Sequence, residues 1–596
     1  MTVVMTPDRE PFFAGTYFPP RDGVRGARRG FLGILQGLAA EYAESGDEVA
    51  QRAAELVERM RASARPAGQA SLPDTSALLS RSVGQLGSTY DRQWGGFGRA
   101  PKFPRPTTLE VLMRYFRRTR EPHARDMFVG TLEAMANGGI HDHVGGGFHR
   151  YSVDQRWLVP HFEKMLYDNA QLAVAYLEAA QLADRDDFAA VARKILDYVA
   201  REMTSPEGGF YSASDADSAG PDGHTEEGLF FTWTPSELEA ALGENTAKSV
   251  AAYYGVSEGG NFEGRSILHT WRPLVEVADE VGLEPDALAA ELDAARAELY
   301  RVREGRIPPI KDTKVLAAWN GLMISAFARG AAVLGEDRYR DIARAAADFV
   351  LERMFDGGRL ARSYRAGSTR HAGVLDDYAF LAAGLLDLFE VDSDPRWFDA
   401  AVALHTTLEE RFWHPDGGAF YLTPDDGERL LVREKPDYDG ARPSGNSVAI
   451  ANLLRLYHLT TDEHYFKMAE QGLLAFASDL TRRGLGIPRL LSTLDAYEDV
   501  HKEIVLVTRR NDTDVSAFRR KLAGVYLPNK AVVVVREGDD LERLSERIPW
   551  VGGKKVQAGD GDVTAYVCEE RVCKLPTADL DLFARQLVSV APYPGG

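Results

Sequence analysis

The stretch YDNAQLAVAYLEAAQLA, residues 167–183, decides how this 596-residue chain is read. Small and apolar residues occupy nearly every face of it, so a helix built from it is buried all round rather than amphipathic. Asp and Asn stand at its start, where such side chains satisfy free backbone N–H groups. Three stretches repeat the pattern: WNGLMISAFARGAAVLG at 319–335, LDDYAFLAAGLLDLFE at 375–390 and SGNSVAIANLLRLYHLT at 444–460. Asn320 and Asp377 are 57 residues apart, and Asp377 and Asn446 are 69 apart, which is room for one helical hairpin plus a loop. The connections repeat too. GGGFHRYS (145–152), GGFYSAS (208–214), GGRLARSYR (357–365) and GGAFYLTP (417–424) each bring glycines, then an apolar or aromatic residue, then extended residues.

Working outward, helical periodicity recurs near 76–90, 107–120, 123–138, 161–183, 185–203, 284–302, 314–334, 336–354, 374–391, 394–412, 445–459 and 461–480. Twelve helices make six hairpins, which close into an (α/α)6 toroid. A long solenoid is the competing architecture, and the lack of a polar capping repeat favours closure. The fold class expected is therefore mainly α, with a toroid at 76–496 interrupted by an inserted hairpin region, 206–283. Before it, MTVVMTPDREPFFAGTYFPP (1–20) reads as strand, turn, strand, and 31–62 as a helix. Residues 66–75 read as a linker. After it, 497–596 alternates strands and helices as a small α/β region.

Lys plus Arg number 70 against 89 Asp plus Glu, a net charge of −19. That balance disfavours nucleic acid and anionic membranes as partners. No apolar run reaches the roughly 20 residues of a membrane span, so a soluble cytoplasmic protein is expected. Cys568 and Cys573 are the only cysteines, spaced C-x4-C, and read as packed or loosely paired thiols. Without a C-x-x-C pair, disulfide reductase activity is not expected.

The densest polar stretch, residues 141–170, holds His141, His143, His149 and His161 with Asp142, Asp154, Glu163, Asp168, Arg150 and Arg156. His141 and His143 at i, i+2 could begin a metal site, but no second ligand pair accompanies them. Acid–base chemistry would use His161, Glu163 and Asp168 at the start of an inner helix, with Asp377 as a carboxylate from another repeat. Substrate contacts would come from Trp157, His149, Tyr167, Trp319, Asn320, Asp376 and Asn446, the aromatics offering flat faces to a sugar ring. Each of these polar residues could instead cap a helix or satisfy loop backbone. In DADSAGPDGHTE, Asp215, Asp217, Gly220 and Glu226 fit calcium-loop positions 1, 3, 6 and 12, but Ala219 does not fit position 5. A solvated hairpin at the cavity rim, with Asp215 and Asp217 near substrate, is the preferred reading. No metal and no cofactor are called for.

APKFPRP, GGGFHRYSVDQRWLVPHFEKMLYDNA, AAWNGLMI, LDDYAFLAAGLLDL and PSGNSVA together resemble the thioredoxin-domain proteins of the spermatogenesis-associated, bacterial YyaL-like type. The resemblance runs the length of the chain. It implies a thioredoxin-like domain followed by a toroid similar to six-hairpin glycosidases and sugar 2-epimerases, and it transfers no catalytic residues. It implies that residues 1–65 are the C-terminal remnant of the thioredoxin-like domain, without its redox centre. Met1 would then match an internal methionine, with the missing half encoded upstream in frame. Thr313 stands where the family tends to carry an acidic residue, which weakens any carboxylate pair there.

The function expected is a toroid that binds a carbohydrate or similar small molecule and, if catalytic, isomerises or hydrolyses it. The rival is a redox-linked interaction or chaperone-like protein with a structural toroid. A polar, open lumen favours the first and a filled apolar lumen the second.

Overall fold

The computed structural model describes residues 1–26, 28–63, 68–220, 223–559 and 561–593; residues 66 and 67 of the expected linker lie outside them. Its helices are α1 (Phe31–Ser63, broken at Ser45), α2 (Thr75–Thr89), α3 (Pro106–Thr119), α4 (Pro122–Asn137), α5 (Leu166–Ala183) and α6 (Asp186–Tyr198). Then come α7 (Pro235–Leu242), α8 (Glu244–Tyr254), α9 (Leu274–Val281) and α10 (Pro285–Arg303). The run continues with α11 (Ala317–Leu334), α12 (Asp337–Met354), α13 (Leu375–Asp392), α14 (Pro395–Arg411), α15 (Gly445–Thr460), α16 (Glu463–Ala475), α17 (Ala477–Arg483) and α18 (Pro488–Glu498).

Six of these form a closed inner ring, each touching the next: α3, α5, α11, α13, α15, α18 and back to α3. α4, α6, α12, α14 and α16 each pack outside the inner helix that precedes them. The sixth outer helix is α2, which packs on both α3 and α18. The architecture is therefore an (α/α)6 toroid. Its membership differs from the periodicity reading in one place. The repeat near 284–302 is α10, whose Leu288, Leu292, Ala295 and Leu299 pack with α7–α9 around Trp233 and Val250 in a separate core. The vacant ring position belongs to α18, which at 11 residues is too short for its period to stand out.

The repeated connections have a common fastening. Asn169 Oδ1 accepts from Phe148 N at 2.8 Å, and its Nδ2 donates to Phe148 O at 3.1 Å and Met165 O at 3.0 Å. Asn320 makes the same pair with Phe210, at 2.8 and 3.1 Å, and reaches Leu316 O at 3.0 Å. Asn446 does so with Phe420, at 2.7 and 2.9 Å, and with Pro436 O at 2.8 Å. In the fourth connection Tyr378 Oη accepts from Leu360 N at 2.9 Å. The glycines let the chain come close: at Gly147, with φ +75°, a Cβ would lie 2.5 Å from the Tyr198 ring. All three amides are buried, so removing one strands the N–H and C=O of the aromatic residue. Asn320→Ala should lower stability by about 1–3 kcal/mol, read from the midpoint of guanidinium unfolding.

At the N-terminus, Thr2–Met5 and Pro11–Gly15 pair antiparallel, as their sequence suggests. At the other end, strands Lys502–Thr508, Lys530–Arg536, Val563–Glu569 and Val572–Cys573 make one sheet, with α19 (Ser516–Ala523), α20 (Asp539–Ser545) and α21 (Leu580–Leu587). Lys502–Thr508 runs parallel to Lys530–Arg536 and antiparallel to Val563–Glu569. Cys568 and Cys573 form a disulfide across the last hairpin, a firmer link than loosely paired thiols.

This sheet region covers the C-terminal ends of the inner helices. Gln181 of α5 donates to Ala523 O at 2.8 Å, and Arg519 donates to Val391 O of α13 at 2.9 Å. Val534 N donates to Ser393 Oγ at 2.9 Å, and Trp550 Nε1 to His458 O of α15 at 2.8 Å. Arg519 thus meets the carbonyl end of a helix, where the macrodipole favours a cation. The mouth lies at the opposite end, where the inner helices begin. Among the described residues no helix is long and apolar enough to cross a membrane.

Candidate functional site

A short ladder, Tyr151–Ser152 against Pro160–His161, carries the chain to the rim ahead of α5. His161 and Glu163 therefore precede the inner helix, which starts at Leu166, rather than opening it. His161 Nδ1 lies 2.7 Å from Glu227 Oε1, and Nε2 lies 3.3 Å from Glu163 Oε2. Glu163 is also ion-paired with Arg150 at 2.8 Å. The imidazole thus sits between two carboxylates on a partly exposed surface.

Asp168 occupies the first turn of α5, where the helix dipole favours an ionised carboxylate. Burial wins over that term: it pushes the Asp168 carboxyl well above the usual range, against the opposing pull of Arg150 and Arg442. Asp168 Oδ2 has no hydrogen-bond partner. Next to it, Tyr167 meets Trp319 of α11 edge to face, with centroids 4.8 Å apart. The Arg442 guanidinium stands 6.0 Å from each ring and 3.5 Å from Asp376 of α13. Contacts therefore join His161, Glu163, Glu227 and Arg150 to Tyr167, Trp319, Arg442 and Asp376, with Arg150 bonded to Tyr167 between the two groups, and Asp168 lies within electrostatic reach of Arg150, Glu163 and Arg442. Arg442 lies in a loop and Glu227 ends the short strand Thr225–Glu227, both far along the chain from α5, so nothing local marks them.

The other candidates are spent on structure. Asp377 accepts from Val374 N at 2.9 Å and Ala318 N at 3.1 Å, with burial lifting its carboxyl to about 6. Asn320 and Asn446 hold the connections described above. Trp157 is fully buried at φ +64°, wedged against Gly96 and Gly138, and offers no face to a ligand. His149 is buried against Phe162 and Phe231 and its Nδ1 lies 2.9 Å from Phe162 O; burial pulls its imidazole down to about 3. His141 and His143 are buried on the carbonyls of Ala136 and Gly138, each at 3.0 Å. Asp215 and Asp217 are exposed. Asp215 accepts from Ala216 N at 2.7 Å, and Asp217 pairs across a hairpin with Glu227, the residue that reaches His161. Residues 221 and 222 of that loop lie outside the described residues.

The ring and the C-terminal sheet region together line a cavity of about 1260 Å³, which the mouth residues named above border through their neighbours Ala170, Gly321 and Pro443 without lining it themselves. Its wall is charged and internally balanced. Arg329 bridges Glu178 at 2.7 Å and Asp387 at 2.9 Å. Arg455 bridges Asp387 at 2.9 Å and Glu390 at 2.8 Å, and Arg489 holds Glu110. The lumen is thus not filled, and its wall sets these ion pairs among apolar side chains such as Met113, Val174 and Phe380.

A family model described as Thioredox_DsbH, protein of unknown function DUF255, matches residues 1–61. Spermatogenesis-associated protein 20 of Homo sapiens is 37% identical over 616 residues, spanning 97% of this chain and 78% of that protein. The protein of the same name from Mus musculus is 36% identical, over 97% and 77%. Among solved structures, cellobiose 2-epimerase from Bacillus thermoamylovorans B4167 matches 67% of this chain and 85% of its own, with a TM-score of 0.43 at 10% identity.

Proposed function

The chain belongs to the spermatogenesis-associated protein 20 family, whose members align with almost all of it, and from that premise we propose that its toroid binds a carbohydrate-like, polyhydroxylated small molecule and moves a proton on it. The observation that carries this reading is the approach, where the inner helices begin, of the buried Asp168 carboxyl, which burial pushes above its usual range, to the Arg150-paired Glu163 carboxylate beside the Tyr167 and Trp319 rings. Asp168 is the proton donor, and Glu163 with His161 the acceptor. Trp319 and Tyr167 stack on the sugar ring, and Arg442 and Asp376 hold its hydroxyls. Isomerisation or epimerisation next to a carbonyl, and hydrolysis of a glycosidic bond, both need such a pair. The size of the lumen and the ion pairs in its wall speak against the rival reading of a redox-linked interaction or chaperone-like protein with a structural toroid.

Saturation-transfer NMR on the full chain, against a panel of mono- and disaccharides, tests the reading. At least one sugar should show contact signals, and Trp319→Ala should abolish them with the circular dichroism unchanged. A folded protein that touches no sugar in the panel would sink the proposal.

A further inference from the structure

His458 stands near the C-terminal end of α15, at the opposite end of the ring from the mouth. His501 and Glu503 lie at the start of the strand that crosses that end. One donor atom from each of the three lies within 4.8 Å of the others. The two imidazoles stack, with centroids 3.8 Å apart and planes at 6°. His501 is buried, yet its Nδ1 has no hydrogen-bond partner. A bare ring nitrogen in the interior forfeits the bond it would have in water, and such atoms call for an explanation. Both histidines line the lumen cavity, which gives an ion a way in.

We propose that His458, His501 and Glu503 bind one divalent transition-metal ion of the zinc class at the inner end of the lumen. Two imidazole nitrogens and one carboxylate oxygen are a donor set that zinc accepts at about 2.0–2.2 Å, whereas calcium takes oxygen alone. The donors already lie within 4.8 Å of one another, and turning the stacked rings out of their parallel arrangement would aim both at a common ion. The carboxylate is already oriented, because Arg571 N donates to Glu503 Oε2 at 3.2 Å. Three protein donors leave a coordination position for water facing the cavity, as in zinc sites that stay open. Arg455, Lys530 and Arg571 approach the cluster and oppose a cation. The site should therefore bind more weakly than an all-thiolate structural one.

The test uses untagged full-length chain, freed of metal with a chelator and titrated with Co²⁺. One Co²⁺ per chain should bind, with visible d–d absorption that Zn²⁺ displaces. His458→Ala and Glu503→Gln should each weaken uptake by at least about tenfold, with circular dichroism unchanged. His464→Ala, outside the cluster, should leave uptake as it was. Because His458 is only partly buried, its replacement removes a donor without opening the core, and it decides the matter if Glu503→Gln unfolds the chain. Folded wild type that takes up no Co²⁺, or uptake unchanged in His458→Ala, would overturn the proposal.

Discussion

Asp142→Asn should destabilise the folded chain by about 3–5 kcal/mol, the range found when one partner of a buried ion pair is removed. Asp142 Oδ2 accepts from Lys164 Nζ at 2.7 Å and Oδ1 from Arg303 Nη1 at 2.8 Å. Oδ1 also accepts from the backbone N–H groups of Val144 and Gly145, each at 3.0 Å. All three side chains are buried. Since Arg303 ends α10, this one carboxylate ties the inserted helices to the ring. Asparagine keeps the shape and loses the charge. Lys164 can answer by shedding its proton, because burial already draws its ammonium down. Arg303 cannot, since a guanidinium keeps its proton in proteins. The pH dependence has a definite sign. Burial disfavours the Asp142 carboxylate, but Arg303 and Lys164 outweigh it and hold the group well below its ordinary range. Its contribution is therefore present above the unfolded value of about 4 and fades as pH falls through and below it. Guanidinium midpoints at neutral and acid pH should show wild type and variant converging in acid. A neutral-pH difference under about 1 kcal/mol would mean that the pair is worth no more than a surface bridge.

At the mouth the signature is reversed: large in rate, small in stability. Asp168→Asn and Glu163→Gln should each lower kcat/KM by about 10²–10⁴-fold on the sugar that the binding screen identifies. Asp168→Asn should leave the melting temperature nearly unchanged at neutral pH. Burial already pushes its carboxyl toward the uncharged form, and the amide has the same shape without the charge. A structural, ionised aspartate would behave in the opposite way. The wild-type rate should also fall as pH rises through the elevated Asp168 value, since the donor is lost there, and that limb should vanish in the variant. Full turnover by Asp168→Asn would remove it from the chemistry.

The ring was legible in the sequence because four of its inner helices, α5, α11, α13 and α15, are apolar on nearly every side, a property that each segment carries by itself. Asn320 and Asn446 stood out for the same reason, at like positions in like segments, while Asn169 was passed over for its neighbour Asp168. Their partners did not, because a cap and a clamp on a preceding loop look alike until Phe148, Phe210 and Phe420 are in place. Trp157 reads as a platform by residue type, and only the approach of Gly96 and Gly138 shows it to be a core wedge. α10 has as regular an apolar stripe as any ring member, and the stripe does not say which core it joins. Arg442 reaches Tyr167 across 275 residues, and His458 meets His501 only because the sheet docks on the ring. Charges and ligands of this kind are set by topology, which local pattern does not encode.

The last inner helix has its neighbours at the far end of the sequence. Arg81 of α2 donates to Thr481 O, 400 residues away, and Arg114 of α3 meets Asp495 of α18 across 381. On a ribosome adding about 5–20 residues per second, α2 and α3 wait roughly 20–80 s for the helix that shuts the circle. Until then the nascent chain is an open horseshoe whose two tips, α3 and α15, both wait for α18, the α3 side with Arg114 and Arg118 lacking Asp495. The few residues of α18 act as a latch: they convert a repeat that could have grown or paired with a neighbour into a body with no free end.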